Sequence, residues 1–402
     1  NYIGARGTID EATRRDLVKL AADLDRDINA PTSSLEMVQR LCPARVVVAT
    51  WIGDDEGIDA SFAKMKSMAG DSDMISMLWA QECIASARYE KAFELLKRPF
   101  GPERAIDANI TLAEANLGLM RFDEAQAALN TAPSLNRTIP QQQQINAISA
   151  RVAALRTMWL KEFAAMTKDA KRDDNPIVEI VTSKGSIMLE LFEEEAPNTV
   201  ANFIEHAEAG TYAGTRFHRK VRGFAVQGGD PATASGGAGG RSTGGWTVPD
   251  EIDRADRRAP IADRVLLARQ PLPGSTDAAP NSSGCQFMFL LAPCEQLDGQ
   301  VTVFGRISEG GDVARALGPD DTILSVQVLR KRARDYKGVR LTDAAEGVFV
   351  LPRAPAPIKV SQNPQAPAPG QFVPVPAPTG AVPPPSGPGA LQPKQLPGAT
   401  PK

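Results

Sequence analysis

The sequence predicts a multidomain α and β protein: a helical repeat domain, then an antiparallel β domain, then a proline-rich tail. Three observations carry that prediction. Residues 79–96 and 112–129 repeat one another at an offset of 33. Alternation of period two begins only after Pro176. Residues 350–402 hold 16 of the 32 prolines and too few apolar residues to build a core. The resulting divisions are 1–172, 175–333 and 334–402.

In the first repeat unit the chain reads Arg88-Tyr89-Glu90-Lys91-Ala92, and in the second Arg121-Phe122-Asp123-Glu124-Ala125. An aromatic residue stands at a turn, and a small alanine follows where two helices must approach closely. With Leu117-Gly118 in the second unit, this resembles a pair of tetratricopeptide repeats. Two such units cannot bury their apolar faces alone, and about three are normally needed. Neighbours must supply the rest: a helix near Ile58 to Met68, and a long one from Gln142 to about Lys168. In the latter, Ile145, Ile148, Val152, Leu155, Trp159 and Phe163 recur at helical spacing. Such arrays either offer a concave surface to a protein partner or serve as a spacer or dimer face. No basic cluster suited to a peptide carboxylate stands out, and both readings stay open.

The charged run from Lys168 to Asn175, followed by Pro176, marks a boundary. Ile177, Val178, Ile180 and Val181 then form a strand, Ser183-Lys184-Gly185 turns, and Ile187, Leu189 and Leu191 alternate on the return. Pro197 opens a helix that buries Val200, Phe203, Ile204 and Ala207, and Gly210 stops it. The next stretch, TRFHRKVRGFAVQGGD from Thr215 to Asp230, puts Phe217, Arg219 and Val221 on one parity and His218, Lys220 and Arg222 on the other. Gly223 marks a bulge or a bend at which parity can switch, which would let Arg219, Phe224 and Gln227 converge on one surface. An amphipathic edge hairpin with a snorkelling arginine fits the same residues. The basic run Arg330 to Arg334 is expected to be the solvated end of the last strand. The tail is expected to sample extended polyproline conformations as a linker, a spacer or a ligand for a proline-recognising module.

The stretch from Phe217 to Asp230 resembles the cyclophilin signature. Four further family marks follow in order: the glycine run Gly236 to Gly245, Asp250-Glu251, Pro280-Asn281-Ser282-Ser283-Gly284-Cys285-Gln286-Phe287, and Leu297-Asp298-Gly299 with Val303-Phe304-Gly305. The resemblance covers roughly residues 176 to 333. It implies a closed eight-stranded antiparallel β-barrel capped by helices, and a peptidyl-prolyl cis-trans isomerase acting in protein folding on proline-containing polypeptides. By the same resemblance Arg219 is the catalytic donor, with Gln227 holding the substrate carbonyl. Phe224, Met288 and Leu297 form the proline pocket, and Ala268 and Gln286 line the groove for the residues before proline. The sequence also departs from the family. Met288 replaces a pocket phenylalanine, Ala225 a pocket methionine, Gln296 a tryptophan and Val301 a histidine. Those last two changes, and Arg269 after Ala268, look bacterial. The connection from Arg269 to Ala279 is longer than usual and is expected to border the groove.

The chemistry such a site must perform is modest. Amide resonance sets a barrier of ~20 kcal/mol to X–Pro rotation. Lowering it needs a donor to the prolyl nitrogen as that atom pyramidalises, over a dry pocket for the ring. One preorganised donor contributes on the order of 3 kcal/mol to a transition state. No cofactor is implied. His218 is expected to bond the neighbouring backbone rather than to act as a base. Gly240-Arg241-Ser242-Thr243-Gly244 matches a GxSxG nucleophile pattern, but glycines flank it and both histidines, His206 and His218, precede it. A zinc site lacks ligands and the glycine run lacks the lysine of a phosphate loop. A net charge of −3 gives no argument for nucleic acid, and the most apolar run, Ala44 to Ile52, is far too short to span a membrane. Four isolated cysteines fit a reducing compartment such as the cytoplasm; the chain starts at Asn1, and an exported protein that has lost a leader reads the same way. Two readings from other classes remain: a non-catalytic module that holds proline peptides, and an adaptor working through the helical repeats.

Overall fold

The computed structural model describes residues 11–341 apart from 71, 271–277 and 320. The expectations for the tail from 350 to 402 and for most of the connection between Arg269 and Ala279 lie outside the described residues. Eight helices come first: α1 (Glu11–Asn29), α2 (Leu35–Ile52), α3 (Asp55–Ala69), α4 (Asp73–Ala85), α5 (Tyr89–Leu96), α6 (Ala105–Gly118), α7 (Phe122–Thr131) and α8 (Ile139–Arg172). Their starts follow from local chemistry. Ser34 and Asp54 accept from the main-chain N–H of Met37 and Gly57, and Thr138 closes a capping box with Gln141.

The 33-residue repeat is geometric as well as sequential. Tyr89 and Phe122 each open the second helix of a pair, and Ala92 and Ala125 are completely buried. The preceding turns contain Ala87 (φ 59°) and Met120 (φ 58°), also 33 apart. At both turns the helix end is closed by a main-chain bond, Arg88 N to Cys83 O and Arg121 N to Asn116 O. Gly118 lacks a side chain because the Tyr89 ring occupies its place: an added Cβ would sit 2.3 Å from Tyr89 Cδ1.

The second half contains β1 (Ile177–Thr182), β2 (Gly185–Leu191), α9 (Pro197–Glu208), β3 (Arg219–Val221), β4 (Ala225–Gly228), β5 (Arg264–Leu267), β6 (Phe287–Leu290), β7 (Val303–Glu309), α10 (Gly311–Ala316) and β8 (Ile323–Arg330). All eight strands form one antiparallel sheet in the order β3-β4-β6-β5-β7-β2-β1-β8. Strand pairing leaves the sheet open at β3 and β8. Their leading segments meet only through the Arg216–Thr322 bridge and main-chain bonds such as Phe217 N to Asp321 O at 2.8 Å. One face of the curled sheet packs with α9 into a sealed core, where Phe203 meets Phe287 edge-on at 5.5 Å. Glu251 caps α9, accepting from the N–H of Asn198 and Thr199.

Two charged segments carry buried contacts that their sequence does not indicate. Lys168 to Arg172 belong to the last turns of α8, and Asp169 is buried beneath Arg258. The basic run after β8 is not simply solvated: Arg332 pairs with Asp174, and Arg334 with Glu193. Glu193 also accepts from Tyr336, which is itself buried in the core. Among the described residues no helix is long and apolar enough to cross a membrane.

Candidate active site

A second apolar cluster lies apart from the sealed core and contains Phe224, Ala225, Ala268, Met288 and Leu297, five of the residues singled out from sequence. The strand register explains their meeting. β4 pairs with β6, placing Gln227 opposite Met288 and Ala225 opposite Leu290. β5 pairs with β6 on its other side, and Leu297 arrives on the 3-10 turn Glu295–Leu297. Val301, read as a departure from the family, is buried in the same cluster, whereas Gln296 is exposed.

Arg219 stands directly opposite Gln227 in the β3–β4 pair. Adjacent residues in register share a face, so cation and amide look onto the same surface. The route to that arrangement differs from the expected one. Phe217 points into the sealed core, while Val221 packs against the second cluster. Parity therefore breaks before Arg219, where the main chain changes partner: Phe217 N bonds Asp321 O, but His218 N bonds Gln227 O. Of the two readings of Gly223, a bulge or a bend, the structure has the bend. It is the hairpin turn, with φ 67° and a Phe224 N to Val221 O bond.

Arg219 is half-buried, and among the described residues no carboxylate or carbonyl accepts from it. Burial alone lowers its pKa, and a guanidinium remains protonated regardless. The amide beside it is fixed in orientation. Asp230 as a carboxylate only accepts, so Gln286 must turn its NH2 toward Asp230 Oδ2 (3.0 Å) and Ser242 O (2.8 Å). Gln286 Oε1 then accepts from Gln227 Nε2 at 2.9 Å, and Gln227 Oε1 is left buried without a partner. Asp230 is held in turn by the N–H of Arg241 and Ser242. The carboxylate that organises this chain was missed as a functional residue; its place in Gly-Gly-Asp was the available signal.

The His218 ring lies against the main chain of Arg216, the neighbouring-backbone interaction expected of it, although neither ring nitrogen reaches full hydrogen-bond geometry among the described residues. Its ring fills the space beside Gly239, and burial lowers its pKa, which keeps it neutral near pH 7. Arg269 also has a role not seen in the sequence. It is buried, pairs with Asp250 at 3.1 Å, and donates to Ala279 O and Gln300 O. It thereby ties together three segments around the cluster.

The arrangement is an apolar cluster with a cation and an oriented amide facing one another across the adjoining strand pair. The family model described as cyclophilin type peptidyl-prolyl cis-trans isomerase/CLD matches residues 177–334. Peptidyl-prolyl cis-trans isomerase-like 1 of Bos taurus is 38% identical over 159 residues, 40% of this chain and 88% of that protein. Peptidyl-prolyl cis-trans isomerase CYP18-2 of Arabidopsis thaliana is 36% identical over 166 residues, 40% of this chain and 94% of that protein. A solved cyclophilin-type isomerase of Cryptosporidium parvum, crystallised in the presence of the dipeptide Ala-Pro, aligns at 28% identity and a TM-score of 0.33. That alignment covers 38% of this chain and 98% of that one. The chain belongs to the cyclophilin-type peptidyl-prolyl cis-trans isomerase family. The helices α1–α8 lie outside the matched residues.

Proposed function

We propose that this peptidyl-prolyl cis-trans isomerase accelerates X–Pro rotation in polypeptides by aiming Arg219 at the prolyl nitrogen. The observation that carries this reading is the half-buried Arg219 without a counter-ion, directly across the strand pair from Gln227. A guanidinium already neutralised by a carboxylate has little to offer a developing lone pair; one held free and partly desolvated donates strongly. The prolyl ring sits against Phe224, Met288 and Leu297, with Ala225 leaving room beneath it. The second N–H of Gln227 Nε2 meets the substrate carbonyl, and its vacant Oε1 accepts from Arg219 as the guanidinium swings in. Ala268 and Gln286 border the groove for the preceding residues. No proton is transferred, so the reaction needs no general base.

The test is isomerisation of an X–Pro peptide by the full chain and by Arg219→Ala. A loss of about 100-fold in kcat/KM is expected for the variant, the scale of one preorganised donor. A wild-type chain that binds the peptide saturably without accelerating rotation would instead make the site a holding module, the outcome that the small Ala225 and the non-aromatic Met288 favour.

The division into a helical unit to residue 172, an isomerase unit from 175 to 333 and a tail from 334 belongs to the same proposal. The matched turns at Ala87 and Met120, and the Tyr89 ring against Gly118, support reading the helices as tetratricopeptide-like. A protein partner captured through them is lost on replacing their exposed residues, while peptide isomerisation persists.

A further inference from the structure

The helices are not attached to the isomerase half at arbitrary points. Arg222, in the β3–β4 turn, donates to Asp55 Oδ1 of α3 at 3.0 Å and to Glu82 Oε2 of α4 at 2.9 Å. It also reaches Glu82 O, and the next residue, Gly223, lies so close to α4 that an added Cβ would fall 2.3 Å from Ala85 O. On the far side of the pocket wall, Arg151 of α8 donates to Glu295 Oε1 at 2.7 Å and Oε2 at 3.4 Å. Between these two grips, Ile84, Tyr89, Leu117 and Arg151 face Pro293 across a cavity of about 120 Å³. Each gripped residue lies two positions before a pocket residue: Arg222 before Phe224, and Glu295 before Leu297. The two segments are joined to each other by Leu291 N to Phe224 O at 2.7 Å.

We propose that the helical region is a positioning element of the isomerase site, holding Phe224 and Leu297 at the separation that fits a prolyl ring. The argument rests on the function proposed above. Arg222, Arg151 and Glu295 touch no substrate; they act through the segments that do. Both grips are partly shielded from water, and both come from helices outside the part of the chain that matches the family model. A pocket wall displaced by a fraction of an ångström loses its fit to the ring, and misplacement of about 1 Å is enough to cost up to ~100-fold.

The experiment measures kcat and KM of the full chain on an X–Pro peptide for wild type, Glu295→Gln, Arg151→Ala, Glu82→Gln and the exchange Arg151→Glu with Glu295→Arg. Thermal melts run alongside confirm that each variant is folded, and the isosteric Gln changes cover the case in which Arg151→Ala is not. A loss of about 10-fold in kcat/KM, carried mainly by KM, is expected for the single changes. The exchange should recover most of it, because the contact is rebuilt with its sign reversed. A merely structural contact shifts the melt and leaves kcat/KM at the wild-type value, and that result overturns the proposal, as does an exchange no better than its worse parent. Arg219→Ala separates the two readings. An inactive wild type sinks both, whereas an active wild type, an inactive Arg219→Ala and unaffected grip variants sink this one alone.

Discussion

The seam between α8 and the sheet and the rim of the pocket both use arginines, and they use them in opposite ways. At the seam, Arg258 is almost wholly buried between Glu162 (2.7 Å) and Asp169 (2.6 Å), with its guanidinium 3.7 Å above the Phe192 ring. Arg264 reaches the same Glu162 carboxylate at 2.9 Å. Opposite Gln227, Arg219 is half-buried and has neither anion nor ring beside it among the described residues. A cation removed from water without a partner is unfavourable to the fold, which is the physical ground on which Arg219 is proposed to serve a ligand. Pairing, more than burial, separates the arginines of the seam from Arg219.

The comparison breaks first at Arg219. Arg219→Ala should lower kcat/KM by about 100-fold while leaving the melting temperature unchanged or slightly higher, since no pair is lost; a clear drop in stability would mean that a structural partner exists. Arg258→Ala should do the reverse. It leaves Glu162 to Arg264 and Asp169 to Arg172, with the charge between them removed, and should destabilise by about 3 kcal/mol in urea titration, with residual activity per folded molecule retained. An unchanged midpoint would show that the seam contributes little.

A subtler separation lies in pH. Burial alone would raise the Glu162 pKa, but Arg264 and Arg258 hold it below the usual carboxylate range. The folded state therefore favours its anion more than the unfolded state does. That stability is complete above the unfolded value of about 4.3 and disappears as pH falls through the lower folded value. Acid titration of wild type against Glu162→Gln should show this limb only in wild type. Activity has no matching limb. With a permanently charged donor and a His218 held below its ordinary value by burial, kcat/KM should stay flat from about pH 7 to 9, and a bell-shaped profile would reinstate a general base.

How much of this was legible in the sequence depended on how local the cause was. Arg219, Phe224, Gln227, Met288 and Leu297 all lie in or beside short motifs, and strand pairing sets Arg219 opposite Gln227 and brings the other three into one cluster. The hairpin of β1 and β2 and the start of α9 followed from turn and cap residues. The break in parity before Arg219 was not legible, because it depends on Phe217 finding Asp321, more than a hundred residues away. The same holds for Arg258, whose carboxylates lie 89 and 96 positions earlier. The buried contacts of the runs 168–175 and 330–334 were not legible because their partners, Arg258 and Glu193, are distant in sequence. Charge density is visible in a sequence; the identity of the counter-ion is not.

The Glu162–Arg258 seam also bears on the order of assembly. During synthesis α8 emerges before any strand, so Glu162 and Asp169 stand in water until Arg258 has been made and the sheet has formed to carry it. The join is then among the last contacts to close and among the first available to open. In a chevron experiment, substitutions at Glu162 should speed unfolding far more than they slow refolding. The strength of this seam should set how long the finished molecule lasts, with little influence on how quickly it is made.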